Sequence, residues 1–278
     1  MKSDSSSTSS NQAPPEVQGT IKTEYLSQVR DQLKTVSGFA PVEAMITLYV
    51  NGKELIQLMA TPHKCDELAV GFLYAEGLID AEDDFLGVSL SPNKRCVDVL
   101  LRDDVDEFPR RGIITSGCGR GRTFRDHSDS QPDQPKLAPV SSDLRVSYHD
   151  LQQRMKEMLS QSELHRISGG THSAALARTD QIIAVREDVG RHNAVDKLIG
   201  WTVINSVSTK DLLLLSSGRI SSEMLYKAYR MQIPLVCSLT SPTSLSLSLA
   251  QEWNITLVGY LKGSSMRIYT APERIITD

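Results

Sequence analysis

Two apolar-rich runs, 44 to 50 and 54 to 60, flank Asn51-Gly52, a dipeptide that tolerates the positive φ angles of a two-residue hairpin turn. Asp66 then stands as the cap of a helix carrying Leu68, Phe72, Leu73 and Ala75, with Gly77 placed to end it, and Val97 to Leu101 reads as a further strand. This part of the chain is therefore α+β. Further on, Leu151, Met155, Met158 and Leu159 recur at helical spacing and predict a helix from 147 to 160. Alternation then takes over: a hairpin from 173 to 177 and 181 to 185, helix 192 to 206, strand 211 to 215, helix 221 to 231, strand 234 to 239, helix 243 to 252, and strands 255 to 261 and 265 to 270. Continuous apolar strands such as Leu212-Leu213-Leu214-Leu215 between helices predict parallel strands buried on both faces, an α/β half. Ligands in such sheets sit beyond the carboxyl ends of the strands. The segments 186 to 191, 216 to 220, 239 to 243 and 261 to 265 all leave strands there and are expected to converge on one pocket.

Two stretches break the pattern. Residues 1 to 18 are Ser-rich, lack the basic start and apolar core of a secretion signal, and read as a disordered tail. Residues 119 to 140 are too polar to build a core and read as a mobile loop or linker, dividing an N-terminal α+β part (19 to 118) from an α/β domain (141 to 278). The 278 residues and 40% hydrophobic content suffice for a buried core without staples. A net charge of −4 argues against a sequence-independent nucleic-acid or membrane-surface binder, so any anion site is local. No apolar run approaches the roughly 18 residues needed to cross a bilayer. Cys65, Cys96, Cys118 and Cys237 are widely spaced, which fits free thiols in a cytoplasmic protein.

The densest chemistry lies in Arg186 to Lys197, where six charged side chains, His192 and Asn193 surround Gly190 at a strand-to-helix turn. Backbone N–H groups at the start of that helix favour a phosphate, with Arg186 and Arg191 as fork-shaped donors. A salt-bridged helix cap accounts for the same residues equally well, Glu187 and Asp188 lying near the positive helix end with the arginines paired back to them. Gly169-Gly170-Thr171-His172 precedes a strand and offers a close backbone approach with two donors, though its local sequence also suits a simple turn. Ser216-Ser217-Gly218-Arg219 and Thr240-Ser241-Pro242-Thr243-Ser244 follow buried strands and open helices, as anion sites and ordinary helix caps both do. Tyr260, Leu261, Lys262, Gly263, Ser264 and Ser265 link the last two strands, where lysine, glycine and serines suit a phosphate or a pterin edge as well as a hairpin turn. Cys118 stands in Ser116-Gly117-Cys118-Gly119-Arg120-Gly121-Arg122, without bulky sequence neighbours, on pliable backbone and beside two arginines that favour its thiolate, though a glycine-flanked loop cysteine also suits a merely tolerated small residue. Cys65, Cys96 and Cys237 read as packing residues.

The run from Arg186 to Lys197 resembles the signature of the formate dehydrogenase accessory protein family, the FdhD sulfurtransferases. Asp66 to Gly77, Thr115 to Gly119, Gly169 to Ala175, Ser217-Gly218-Arg219 and Thr240 to Ser244 resemble further blocks of that family in the same order. The resemblance implies a cytidine-deaminase-like α/β sandwich for the C-terminal half. It also implies a sulfur carrier required for formate dehydrogenase activity. In that role a persulfide on Cys118 takes sulfane sulfur from a cysteine desulfurase and passes it to the molybdenum cofactor in its bis(molybdopterin guanine dinucleotide) form. The cofactor is then inserted into the formate dehydrogenase catalytic subunit. Binding of this cofactor by Tyr260 to Ser265, GDP as a surrogate ligand and a homodimer are implied as well. Residue chemistry adds Arg186, Arg191, His192, Asn193, Ser217, Arg219 and His172 as holders of the guanine nucleotide and phosphates.

The chain departs from the family pattern at two places. Gly121 stands where many members carry a second cysteine, which excludes a two-cysteine relay through this motif, and Lys262 stands where many have arginine. Two other functions fit parts of the chain. A noncatalytic chaperone would bind the cofactor or a guanine nucleotide without a persulfide. A zinc nucleobase deaminase would need a His-x-Glu pair and Pro-Cys-x-x-Cys, whereas Ser173-Ala174 follows His172 and Thr240 stands three residues after Cys237.

Overall fold

The computed structural model describes residues 18–79, 84–103, 113–114, 122–123 and 137–276. It opens with a hairpin that the apolar pattern did not single out, β1 (Thr20–Val29) paired antiparallel with β2 (Gln32–Pro41). Its turn uses Arg30 at a φ of 55° in place of a glycine, so no turn dipeptide marks it. The next hairpin forms as expected: β3 (Ala44–Val50) and β4 (Lys53–Ala60) pair across Asn51 and Gly52, at φ 49° and 77°. Against them packs α1 (Cys65–Ala75), followed by β5 (Phe85–Leu90) and β6 (Cys96–Leu101), in sheet order β4-β3-β6-β5. Ile46, Leu48, Val50, Val97 and Val99 form the buried face of this sheet and meet Leu68, Ala69, Phe72 and Leu73 of α1. The helix starts two residues earlier than its sequence suggests: Lys64 is the N-cap, with no side-chain cap bond, and Asp66 lies in the first turn near the positive helix end.

Short pairs β7 (Ile113–Ile114) and β8 (Arg122–Thr123) precede β9 (Val146–Ser147) and α2 (Tyr148–Gln161), whose N-cap Ser147 accepts from the Asp150 N–H. After α3 (Glu163–Ser168) come β10 (His172–Ala177), β11 (Ile182–Asp188), α4 (Arg191–Ile204), β12 (Leu213–Ser216), α5 (Ser222–Arg230) and β13 (Leu235–Ser238). The chain closes with α6 (Ser244–Glu252), β14 (Thr256–Lys262), β15 (Ser265–Thr270) and β16 (Ile275–Ile276), the last paired with β9. Six strands make one mixed sheet in the order β11-β10-β12-β13-β14-β15.

The sheet is less parallel than its sequence predicts. Only β12, β13 and β14 run parallel as neighbours; β10 is antiparallel to both of its partners, and β15 to β14. The leucine run of β12 follows from burial on both faces. Leu212 and Leu214 join Leu198, Ile199 and Met224 on the side of α4, α5 and α6, while Leu213 and Leu215 join Leu151, Met155 and Met158 of α2. Burial on both faces, not strand direction, is what a continuous apolar strand encodes. The chain is thus mixed α/β, a sheet between two helical layers with a smaller α1-backed sheet attached. That attachment is intimate. Gly71 of α1 and Gly200 of α4 meet so closely that a Cβ on Gly71 would overlap the Asp196 carbonyl, and one on Gly200 the Glu67 carbonyl. The linker expected over 119 to 140 lies outside the described residues except for Arg122–Thr123 and residues 137–140, where Val140 is buried and its N–H donates to the Trp253 carbonyl. The tail lies outside them up to residue 17.

Candidate functional site

Because β11 runs in the same direction as β12, β13 and β14, the loops leaving all four emerge along one edge, joined there by the start of β10. The edge is built on hydroxyls. Ser217 Oγ accepts from the Ser173 N–H at 2.9 Å, Ser238 Oγ donates to the Gly218 carbonyl at 2.7 Å, and the Thr240 N–H donates to Ser238 Oγ at 3.0 Å. The Tyr260 N–H, in turn, donates to the Thr240 carbonyl at 3.1 Å. These short side chains reach the neighbouring backbone without covering it, so successive loops are tied together while their outer surface stays open.

At the centre of this edge lies Gly218. A Cβ there would stand 3.1 Å from His172 Nδ1 and 3.3 Å from Arg191 Cβ, so the start of β10 and the start of α4 both close on Gly218. His192 follows in the first turn of α4, its Nε2 3.1 Å from Glu223 Oε2 and 3.3 Å from Ser221 Oγ. Burial holds both histidines below the ordinary imidazole range. Arg191 reinforces the shift at His172, and the hydrogen bond to Glu223 opposes it at His192. Near neutral pH the edge therefore offers neutral imidazoles, able to accept as well as donate, beside an arginine.

The charged block around Gly190 splits into two populations. Most of it is spent on internal pairing, as the salt-bridged cap reading expects. Arg186, expected at the anion, gives its guanidinium to both carboxylate oxygens of Glu67, through Nε to Oε2 and Nη2 to Oε1, and lies over Trp201. Asn193 donates its amide to the Met59 carbonyl and to Asp188 Oδ1. Lys197 places its buried ammonium on Asp188 Oδ2 at 2.6 Å and on the carbonyls of Thr61 and Glu187 at 3.2 Å. Asp188 also accepts from the Thr61 and Gly190 N–H groups, so this buried pair has its bonding capacity filled. Glu187 accepts from the Leu164 and His165 N–H groups, and Asp196 pairs with Lys227. Arg191, itself buried, and His192, paired with Glu223, are the members of the block that lie near His172 and Gly218.

The remaining expected residues divide similarly. Ser217 sits within the edge and Arg219 is exposed beside it. Tyr260, Leu261 and Lys262 belong to β14 itself, with the turn at Gly263-Ser264. Leu261 is buried in the core beside Val258, which gives it a packing role; Tyr260 and Lys262 are exposed, and Arg267 lies over the Tyr260 ring at 4.1 Å. The Gly263 carbonyl accepts from Tyr148 of α2 at 2.7 Å. Cys118 lies outside the described residues. Among the described cysteines, burial pushes the Cys65 thiol up to about 11 and raises that of Cys237 further, so neither is a thiolate at neutral pH. No cluster of three metal-ligating side chains occurs among the described residues, and none of their helices is long and apolar enough to cross a membrane. Glu223, Ser221, Glu67 and Thr61 were not expected at or around the site. Only Ser221, as the cap of α5, carries a local signal; the others meet their partners across separations from 31 residues (His192 with Glu223) to 136 (Thr61 with Lys197), which no local pattern records.

Comparison with known proteins agrees with this architecture. A structure described as a putative formate dehydrogenase accessory protein from Desulfotalea psychrophila aligns with a TM-score of 0.74 over 92% of this chain and 99% of that one, at 24% identity, and shares the fold. The sulfur carrier protein FdhD of Bacillus subtilis (strain 168) is 35% identical across 90% of this chain and 92% of its own length. That of Geobacillus kaustophilus is 36% identical across 84% and 89%. The model of the FdhD/NarQ family matches residues 41–276, and this chain belongs to that family.

Proposed function

We propose that this protein is a sulfur carrier for formate dehydrogenase maturation, with Cys118 as the carrying thiol and a molybdenum cofactor as its substrate. The observation that carries the proposal is the meeting of His172, Arg191 and Gly218 on the hydroxyl-built sheet edge, in a chain whose relatives are named sulfur carriers. Elimination among the thiols gives partial support: Cys65 and Cys237 are buried and protonated, and Cys96 is half-buried within strand β6. Cys118 has Arg120 and Arg122 in its own loop.

In this scheme the Cys118 thiolate attacks the outer sulfur of a persulfide on a cysteine desulfurase. A new S–S bond forms, the old one breaks, and the desulfurase leaves as a thiolate. The edge binds the cofactor: Arg191 and the α4 N–H groups take phosphate, His172 and His192 present neutral imidazoles to polar edges of the nucleotide, and Gly218 allows the backbone to approach. Arg219, in the loop after β12, and Lys262, at the end of β14, are exposed cations. Arg186 and Asn193 act indirectly, by fixing the turn that carries Arg191.

The test separates binding from transfer. Cys118→Ser is expected to keep the affinity for GDP and cofactor, to lose the sulfur adduct seen by mass spectrometry after incubation with desulfurase and cysteine, and to lose activation of formate dehydrogenase. An adduct that persists in Cys118→Ser would assign the sulfur to another thiol. Full activation by that variant would leave a noncatalytic carrier.

A further inference from the structure

His192 bridges two helices. From the first turn of α4 its Nε2 reaches Glu223 Oε2 at 3.1 Å and Ser221 Oγ at 3.3 Å, both at the start of α5. One helical turn further along, Asp196 of α4 pairs with Lys227 of α5, and both of these side chains are buried. The two pairs are successive rungs between the same helices, and the inner rung fixes the register that holds Glu223 against the imidazole. With the His192 and Glu223 side chains only 19% and 18% exposed, water competes little for the outer rung.

A carboxylate has lone pairs and no hydrogen to offer, so the ring nitrogen beside Glu223 carries the proton. Burial keeps His192 below the ordinary imidazole range, and near neutral pH the ring holds a single hydrogen, on Nε2. Nδ1 is left as a bare acceptor. It has no partner among the described residues and is not sealed in the interior, so it reaches open space, one residue along from Arg191, whose Cβ adjoins Gly218. A phosphate oxygen placed there would set lone pair against lone pair, whereas an N–H group completes a hydrogen bond. Guanine carries N1–H and the N2 amino group side by side, where adenine has a bare nitrogen and a C–H.

We infer that Glu223 is a positioning residue: it fixes the tautomer of His192 so that Nδ1 accepts from an N–H edge of the bound nucleotide's base, which makes the His192–Glu223 pair a determinant of guanine over adenine. The inference rests on the nucleotide-binding reading above and adds to it the atom that reads the base. The other role open to Glu223, an acidic residue in the first turn of α5 that only steadies its helix, predicts a change in stability with none in base preference.

Glu223→Gln keeps the shape of the side chain but puts an amide beside Nε2, which both accepts and donates, so either tautomer is satisfied. Two measurements on the full-length protein follow its effect. In the ligand-free protein, the ring-nitrogen NMR shifts of His192, assigned by their loss in His192→Asn, are expected to show the proton on Nε2 for the parent and a mixture for Glu223→Gln. Titration calorimetry uses GDP and ADP, which share their sugar and phosphates. The parent is expected to prefer GDP, and Glu223→Gln to lose about tenfold in GDP affinity with ADP affinity changed less than about twofold. A parent ring protonated on Nδ1, or a parent without preference for GDP, overturns the inference whether or not the variant folds. So does a Glu223→Gln protein that keeps the parent's preference or weakens for both nucleotides alike. The ring spectrum needs no ligand, so a parent protonated on Nε2 that binds neither nucleotide identifies the nucleotide-binding reading as the one that failed, and the base-reading role falls with it.

Discussion

Lys197 shows how far the meaning of a residue depends on its surroundings. In sequence it is one more charge in a cationic and anionic block; in the fold its ammonium is buried, satisfied by Asp188 and two carbonyls, and ties the loop at Thr61 to the turn before α4. Lys197→Met strands the Asp188 carboxylate in the interior and is expected to cost about 3–5 kcal/mol, read from urea unfolding, with part recovered in Lys197→Met/Asp188→Asn. His63 makes a second case. Burial first, then Lys197, Lys64, Arg186 and Lys94, lower its pKa to about 4. Between the unfolded value near 6.5 and that folded value, the unfolded chain binds a proton that the folded chain refuses, so stability falls as pH falls through this window. His63→Gln is expected to lose less stability than the parent between roughly pH 6.5 and 4.5, by up to about 1.4 kcal/mol per pH unit. Equal losses in urea midpoints for the two proteins would remove His63 from the account.

Elements were legible where local chemistry is decisive. The Asn51-Gly52 turn, the Ser147 and Ser221 caps and the Thr243 capping box with Ser246 all stand where short-range hydrogen bonding puts them. The β1–β2 hairpin escaped because its strands mix polar and apolar residues on both faces and its turn has no glycine; strand directions in the large sheet escaped because burial leaves no mark of direction. Contact between elements is a different matter. The α1–α4 crossing depends on Gly71 and Gly200, each inside a helix where glycine costs about 1 kcal/mol against alanine, and the close approach compensates for that cost. Gly200→Ala forces the helices apart and is expected to destabilise on the order of 3 kcal/mol. Gly87→Ala, where the space is open, is expected to change stability by no more than about 0.5 kcal/mol. Thermal melts of the two variants make the comparison.

At the scale of the whole molecule, one joint connects the smaller sheet to the larger domain. It consists of the glycine crossing, Glu67 with Arg186, Tyr74 whose hydroxyl donates to the Arg230 carbonyl, and Asp188 bonded to the Thr61 N–H. The same joint aims the turn of Arg191 and His192 at Gly218, so site geometry and interdomain packing are one arrangement. The sequence by itself determined the helices and strands with strong periodicity or caps, the residue types gathered at the sheet's carboxyl edge and the family, since all of these rest on local spacing and residue identity. Only the tertiary structure decided which charges face outward and which neutralise one another. Pairing energy depends on distance and desolvation, and Glu67 and Arg186, 119 residues apart in the chain, acquire both only when the fold brings α1 against β11.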